Sequence, residues 1–280
     1  KNQRSDPENS YKVNRKKSII FDSTDKHLIA MNLKINNKVA LVTGGARGIG
    51  RSITENLLLE GAKVISTSRS ENALTELREE LKNFNDSLFT INTGLTGVDD
   101  IEKLIEQIRN YDLDVDILIN NAGDTLNIKD PWCSLDDWRK IFRLNFEVPV
   151  QLVNHLAPKM KTKNWGRIVN ITSCAGLENS GPVTFSTTKA ALSAYTRSMG
   201  RILAIEAPGV VMTALFPGVV ITKGGHWDEI LRTNPQHAEK YLSERCPLGR
   251  FGHIDEIGPI VAVYCSELAS FCHGAIIPID

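Results

Sequence analysis

The chain has 280 residues, near two domains at ~150 residues each, although one α/β sheet can absorb this length. Hydrophobic residues at 41% and charged residues at 24% are ordinary globular usage, which excludes a disordered, collagenous or fibrous chain. Lys plus Arg and Asp plus Glu number 33 each, leaving no global basic field for nucleic acid or an anionic membrane, so neither is an expected partner.

Five cysteines, Cys133, Cys174, Cys246, Cys265 and Cys272, form no CxxC pair and show no Cys/His metal spacing. That usage suits a reducing cytosol and predicts no metal site. No window reaches the ~18 consecutive apolar residues of a membrane span, and no apolar secretory core follows the basic residues near the N-terminus. The expectation is a cytoplasmic protein.

In chain order, residues 1–30 are polar and mixed in charge, with Ser18-Ile19-Ile20-Phe21 as a short apolar run. They read as an extension, either flexible or an expression remnant, because Met31-Asn32-Leu33-Lys34 resembles a natural start. From Lys38 onward, short apolar runs alternate with amphipathic stretches, the signature of βαβ units. Strands are predicted at Val39 to Thr43, Val64 to Thr67, Leu88 to Asn92, Val115 to Asn120, Ile168 to Thr172, Val210 to Phe216 and Ala275 to Ile279. They are rich in Val and Ile without regular alternation, as expected where both sheet faces are covered. Ile101, Leu104, Ile105 and Ile108 form one apolar stripe on a helix starting near Asp99 and Asp100. Residues 31–280 are therefore predicted to form a single α/β doubly wound Rossmann-type domain with a parallel sheet of about seven strands.

The first strand runs into Thr43-Gly44-Gly45-Ala46-Arg47-Gly48-Ile49-Gly50 and then a helix carrying Ile53, Leu57 and Leu58. Glycines there allow a tight turn, close backbone approach to a pyrophosphate, and close packing of helix on strand. The strand-turn-helix context is what gives such a motif its weight as a dinucleotide site. An acid about 20 residues on would hold the ribose 2′-hydroxyl of NAD. This chain instead reads Thr67-Ser68-Arg69-Ser70. Arg47 and Arg69 together favour a 2′-phosphate, and hence NADP over NAD. The alternative is that Arg69 only begins a solvated helix face.

These motifs resemble the short-chain dehydrogenase/reductase family over nearly all of Leu33 to Asp280, and within it the bacterial 3-oxoacyl-acyl-carrier-protein reductase branch. Thr43-Gly44-x-x-x-Gly48-x-Gly50 is similar to the family's cofactor turn, and Asn120-Asn121-Ala122-Gly123 to its strand-end motif. Asn145 resembles its helix asparagine, Ser173 its catalytic serine and Lys189 its catalytic lysine, while Pro217-Gly218 with Thr222 resembles its nicotinamide loop. The resemblance implies hydride transfer between NADP(H) and a carbonyl or secondary alcohol, and a dimer or tetramer paired through helices at Trp138 to Met160 and Ala190 to Ile205.

One departure stands against these agreements. The family carries tyrosine four residues before the lysine, and this chain has Phe185-Ser186-Thr187-Thr188-Lys189. In the family the tyrosine passes the proton, the serine holds the substrate oxygen, and the lysine lowers the phenol pKa and binds the ribose. Phenylalanine passes no proton, so the resemblance implies normal cofactor binding with impaired turnover, or a catalytically silent cofactor-binding or scaffold protein. One missing oxygen fits an engineered deletion or a natural silencing alike. Tyr195, six residues past Lys189, reads as a core or interface aromatic, and Tyr241 in the lid as the alternative substitute acid. A second departure is Asn92-Thr93-Gly94-Leu95-Thr96, which lacks the family's adenine-side aspartate and implies backbone contacts there.

Residues 222–248 read as a polar, cationic lid. Trp227 is suited to stack on a sugar ring while Arg232, Lys240 or Arg245 meets a phosphate or carboxylate. The expected substrate is a polar, anionic carbonyl compound or its alcohol, either a 3-oxoacyl thioester or sugar-derived. The sugar-derived alternative rests on a faint likeness of Gly224-Gly225-His226-Trp227 and Cys272-His273-Gly274-Ala275 to reductases of bacterial sugar pathways.

Overall fold

Seven Val- and Ile-rich runs become one all-parallel sheet in a computed structural model that describes residues 32–178 and 180–280. The compact unit is Leu33–Asp280, and the reading of residues 1–30 lies outside the described residues. In chain order the first half contains β1 (Val39–Val42), α1 (Gly48–Leu59), β2 (Lys63–Ser68), α2 (Glu71–Glu80), β3 (Leu88–Asn92), α3 (Asp100–Asn110) and β4 (Ile117–Asn120). There follow α4 (Leu135–Phe142), α5 (Val148–Lys163), β5 (Gly166–Ile171), α6 (Val183–Glu206) and β6 (Val210–Pro217). The chain ends with β7 (Val220–Ile221), α7 (His226–Thr233), α8 (Pro235–Arg245), β8 (Gly252–His253), α9 (Gly258–Tyr264) and β9 (Ile276–Ile279).

The sheet runs β3-β2-β1-β4-β5-β6-β9, while β7 and β8 pair apart from it. Its strands lack alternation because helices cover both faces. Ile53 and Leu57 of α1, Leu74 of α2 and Val261 of α9 pack on one face. Ile101 and Leu104 of α3, Leu152 and Met160 of α5, and Leu203 of α6 pack on the other. Strand order reverses between β1 and β4, and the crevice outside the strand ends at such a switch is where ligands bind in open α/β sheets.

One sequence expectation needs correction. The helix read over Trp138 to Met160 is interrupted by a π-helical turn at Arg143–Glu147. There the Asn145 amide donates to Ile141 O at 3.0 Å and to Asp124 O at 2.9 Å, tying the wide turn to the loop after β4. Tyr195 lies on α6 itself, the helix that also carries Phe185 and Lys189, and packs edge-on against Phe146 at 6.0 Å. Among the described residues, no helix is long and apolar enough to cross a membrane.

Candidate active site

The turn after β1 is shaped by what it excludes. Gly44 and Gly48 have φ of +64° and +55°, a region costly for residues with a Cβ. A Cβ on Gly50 would lie 2.2 Å from Gly44 O and 2.5 Å from Asn121 Nδ2, so this position admits hydrogen alone. Thr43 ties the turn to the strand-end motif, a role the motif reading missed. Its hydroxyl donates to Ile119 O at 3.2 Å and accepts from the backbone N–H groups of Asn121 and Ala122, each at 3.0 Å. The Asn121 amide donates back to Thr43 O at 2.9 Å. The open N-terminus of α1 and this glycine turn form a cradle that fits a pyrophosphate.

A cleft of about 1870 Å³ runs from this cradle across the strand ends. Gly44, Arg47, Gly48, Ile49 and Gly50 line one part, with Ser68, Arg69, Asn121, Ala122 and Gly123 beside them. Ser173, Phe185, Lys189, Pro217 and Thr222 line the rest. Two of the sequence-selected residues stand back from it. Asn145 is fully buried behind the wall, its Oδ1 accepting the Asp124 N–H at 3.1 Å. At Gly218 a Cβ would meet Asp280 Oδ1 at 2.0 Å, which marks a close approach to the last strand.

On the cleft floor, Lys189 Nζ donates to Ile171 O at 2.9 Å and lies 5.6 Å from the Phe185 ring centroid. Burial pulls its pKa down to about 8. Ser173 Oγ accepts the Ala175 N–H at 3.2 Å, which leaves its proton available to the cleft. Next to it, the Cys174 thiol is buried, pushed up in pKa by that burial, and 3.8 Å from Ser180 Oγ. Tyr241 does not line the cleft, and burial pushes its phenol up to about 12, so it makes a poor acid there.

The lid reading also changes. Trp227 lines the cleft, but its ring is already packed on Tyr241 at 4.3 Å and Phe251 at 5.0 Å and stacked on His237 at 6.1 Å. Arg232 turns back on its own helix, with Nε donating to Asp228 O at 3.3 Å. Arg245 lines a separate small pocket near Cys246, and Lys240 faces Glu244 at 3.9 Å. The cleft's cations instead include Lys129, Arg139 and Lys140 from the β4–α4 side and Lys223 from the loop before α7. Arg139 and Lys140 are paired with Asp136 and Asp137 at 2.7 and 3.1 Å. Lys129 and Lys223 have no carboxylate partner among the described residues.

Residues 38–228 match the model of the short chain dehydrogenase family, and the chain belongs to that family. It is thus an enzyme of the oxidoreductase class. It is 36% identical over 252 residues to the 3-oxoacyl-(acyl-carrier-protein) reductase FabG of Aquifex aeolicus, covering 89% of this chain and 98% of that protein. A solved 3-oxoacyl-(acyl-carrier-protein) reductase from Agrobacterium tumefaciens with NADP bound superposes with a TM-score of 0.81 at 26% identity, covering 91% of this chain and 98% of that one. L-sorbose reductase from Gluconobacter frateurii, solved with NADPH and L-sorbose, shares the fold with a TM-score of 0.82 at 24% identity, over 89% and 97% of the two chains.

Proposed function

We propose that this chain is an NADP(H)-dependent oxidoreductase interconverting a carbonyl and a secondary alcohol on a polar, anionic substrate, with turnover slowed by Phe185. The observation that carries the reading is the grouping of Ser173, Phe185 and Lys189 on one cleft floor that continues into the glycine cradle. Arg47 and Arg69 at the cradle end support a cofactor bearing a 2′-phosphate, whose nicotinamide supplies or accepts the hydride when bound. Lys189 would hold the ribose and set the local positive charge. Ser173 would donate its hydroxyl proton in a hydrogen bond to the substrate oxygen, polarising the carbonyl. Asn145 would position the loop after β4 rather than touch substrate, since its amide is spent on Asp124 and Ile141. Phe185 presents a hydrocarbon edge where the family delivers the proton.

Phe185→Tyr should raise kcat by roughly 10²–10⁴, the usual worth of general acid-base help. A flat response over a panel of carbonyl compounds, with NADP still bound tightly, would favour a catalytically silent cofactor-binding protein. Equal affinity for NAD and NADP by calorimetry would sink the cofactor reading.

The anionic-substrate part rests on Lys129 and Lys223 at the cleft, in place of the lid arginines. In the Phe185→Tyr background, Lys129→Ala should raise KM several-fold more for a phosphorylated substrate than for its neutral analogue, and Arg245→Ala should raise it for neither. The 3-oxoacyl and sugar-derived substrates remain the two classes to compare in that panel. Helices α5 and α6 are the proposed subunit-pairing surface of a dimer or tetramer, supported by Ile205 standing 84% exposed on α6. A cytoplasmic location rests on the cysteine pattern.

A further inference from the structure

One ion pair crosses the cleft. Arg69 Nη2 lies 3.7 Å from Asp124 Oδ2, and both residues line the cleft wall. Arg69 follows β2 and Asp124 follows β4, the two strands that flank β1 in the sheet. A contact between them must therefore pass over the end of β1 and the Gly44–Gly50 turn that leaves it.

The two partners differ in freedom. Asp124 is fixed: its Oδ1 accepts the Leu126 N–H at 3.1 Å, and its backbone N–H and C=O both bond the buried Asn145 amide. Among the described residues Arg69 is held by this one long contact, with its side chain 68% exposed. Arg69 is thus the arm that moves, and Asp124 the post it rests on.

We propose that Asp124 is a selectivity residue for the dinucleotide: its carboxylate straps Arg69 across the cradle and competes with a ribose phosphate for the same guanidinium. This inference rests on the NADP reading above. Entry of the cofactor moves Arg69 from the carboxylate to the phosphate, and the carboxylate left behind opposes the added negative charge. An exposed pair of this kind contributes at most ~1 kcal/mol, about fivefold in affinity. The strap therefore tunes binding without blocking it.

The test is calorimetry of NADP and NAD with the full chain and the variants Asp124→Asn, Arg69→Gln and the double variant. Asparagine keeps the Oδ1 acceptor for Leu126, and an unchanged melting temperature without cofactor would show that the loop is intact. Asp124→Asn should tighten NADP about twofold to fivefold and NAD less than twofold, with the NADP gain shrinking in the Arg69→Gln background. If Arg69→Gln weakens NADP while Asp124→Asn leaves both cofactors unmoved, the strap is wrong and the NADP reading survives. If Arg69→Gln leaves NADP unmoved, Arg69 does not meet the phosphate and the strap falls, while the NADP reading is judged separately by whether the parent chain binds NAD as tightly as NADP.

Discussion

A buried cation stands at each end of strand β5, Arg167 of the strand itself and Lys189 reaching in from α6, and the two are held differently. At its start, the Arg167 side chain is almost wholly buried. Its Nε donates to Ser266 O at 2.8 Å, its Nη1 to Gly166 O at 2.8 Å and Gly209 O at 2.9 Å, and Glu267 Oε1 stands 3.4 Å from Nη2. At its finish, among the described residues Lys189 Nζ hydrogen-bonds Ile171 O alone, and its neighbour on the cleft side is an aromatic ring. Burial lowers the pKa of both, but Arg167 offsets part of that cost through three carbonyls and a carboxylate. Lys189 recovers little, and its pKa falls to about 8. A cation whose donors are satisfied locks a structure, whereas one left with unused donors is available to a ligand.

The largest effect on stability should follow from breaking the satisfied end. Arg167→Ala empties a buried site and takes one donor each from the Gly209 and Ser266 carbonyls, which keep the N–H groups of Gly166 and Ala269, and from the half-exposed Glu267 carboxylate, which keeps the Trp165 indole. Urea unfolding should show a loss of about 2–5 kcal/mol, the usual cost of emptying the site of a large buried side chain. A loss below 1 kcal/mol would mean that water replaces the guanidinium without penalty, and the contrast between the two ends would dissolve.

The unsatisfied end should respond with the opposite sign. Lys189 has a folded pKa near 8 against 10.5 when exposed. Between those values the unfolded chain binds more protons than the folded one, so stability rises with pH across the window. Below pH 8 the lysine is charged in both states and the folded form bears the full desolvation cost. Lys189→Met should therefore stabilise the chain at pH 7, by up to about 3 kcal/mol at ~1.4 kcal/mol per pKa unit. The gap between variant and parent should close as pH rises from about 8 to 10.5. The same variant should lose cofactor affinity, which separates a ligand-holding lysine from a structural one. A gap that stays constant with pH would show that Lys189 is not titrating in that window.

The same contrast explains what could be read before the fold was seen. The strands of the sheet were legible because both faces are covered, which leaves short apolar runs without alternation, such as Val39–Val42 and the Ile-Leu-Ile that opens Ile117–Asn120. The glycine turn, Ser173 and Lys189 were legible because their chemistry is tied to short spacings. The further cations that meet the cleft, Lys129 and Lys223, were not. Arg232 and Lys129 carry equal weight in a composition, and only the direction of α7 and the course of the β4–α4 loop decide which faces inward. The π-helical turn at Asn145 and the Arg69–Asp124 contact depend on partners 21 and 55 residues away, beyond any local period.

The smallest expected effect lies beneath the satisfied end and tests how far its network extends. Trp165 is packed between two cations: Lys38 Nζ sits 3.9 Å from its ring centroid and the Arg167 guanidinium carbon 4.8 Å from it, while its indole N–H donates to Glu267. Lys38 is the outer of the two cations, so its attraction to the ring belongs to the partly solvated kind, about 0.5–1 kcal/mol. Lys38→Met keeps the aliphatic stem over the indole and removes only the charge. A chain of this size should then melt about 1–4 °C lower. Because the ring is neutral, that loss should persist at 0.5 M salt, where an exposed ion pair of equal strength would be largely screened. A shift that vanishes in salt would assign Lys38 to a neighbouring carboxylate, and the floor of the sheet would then be held by Arg167 and its carbonyls alone.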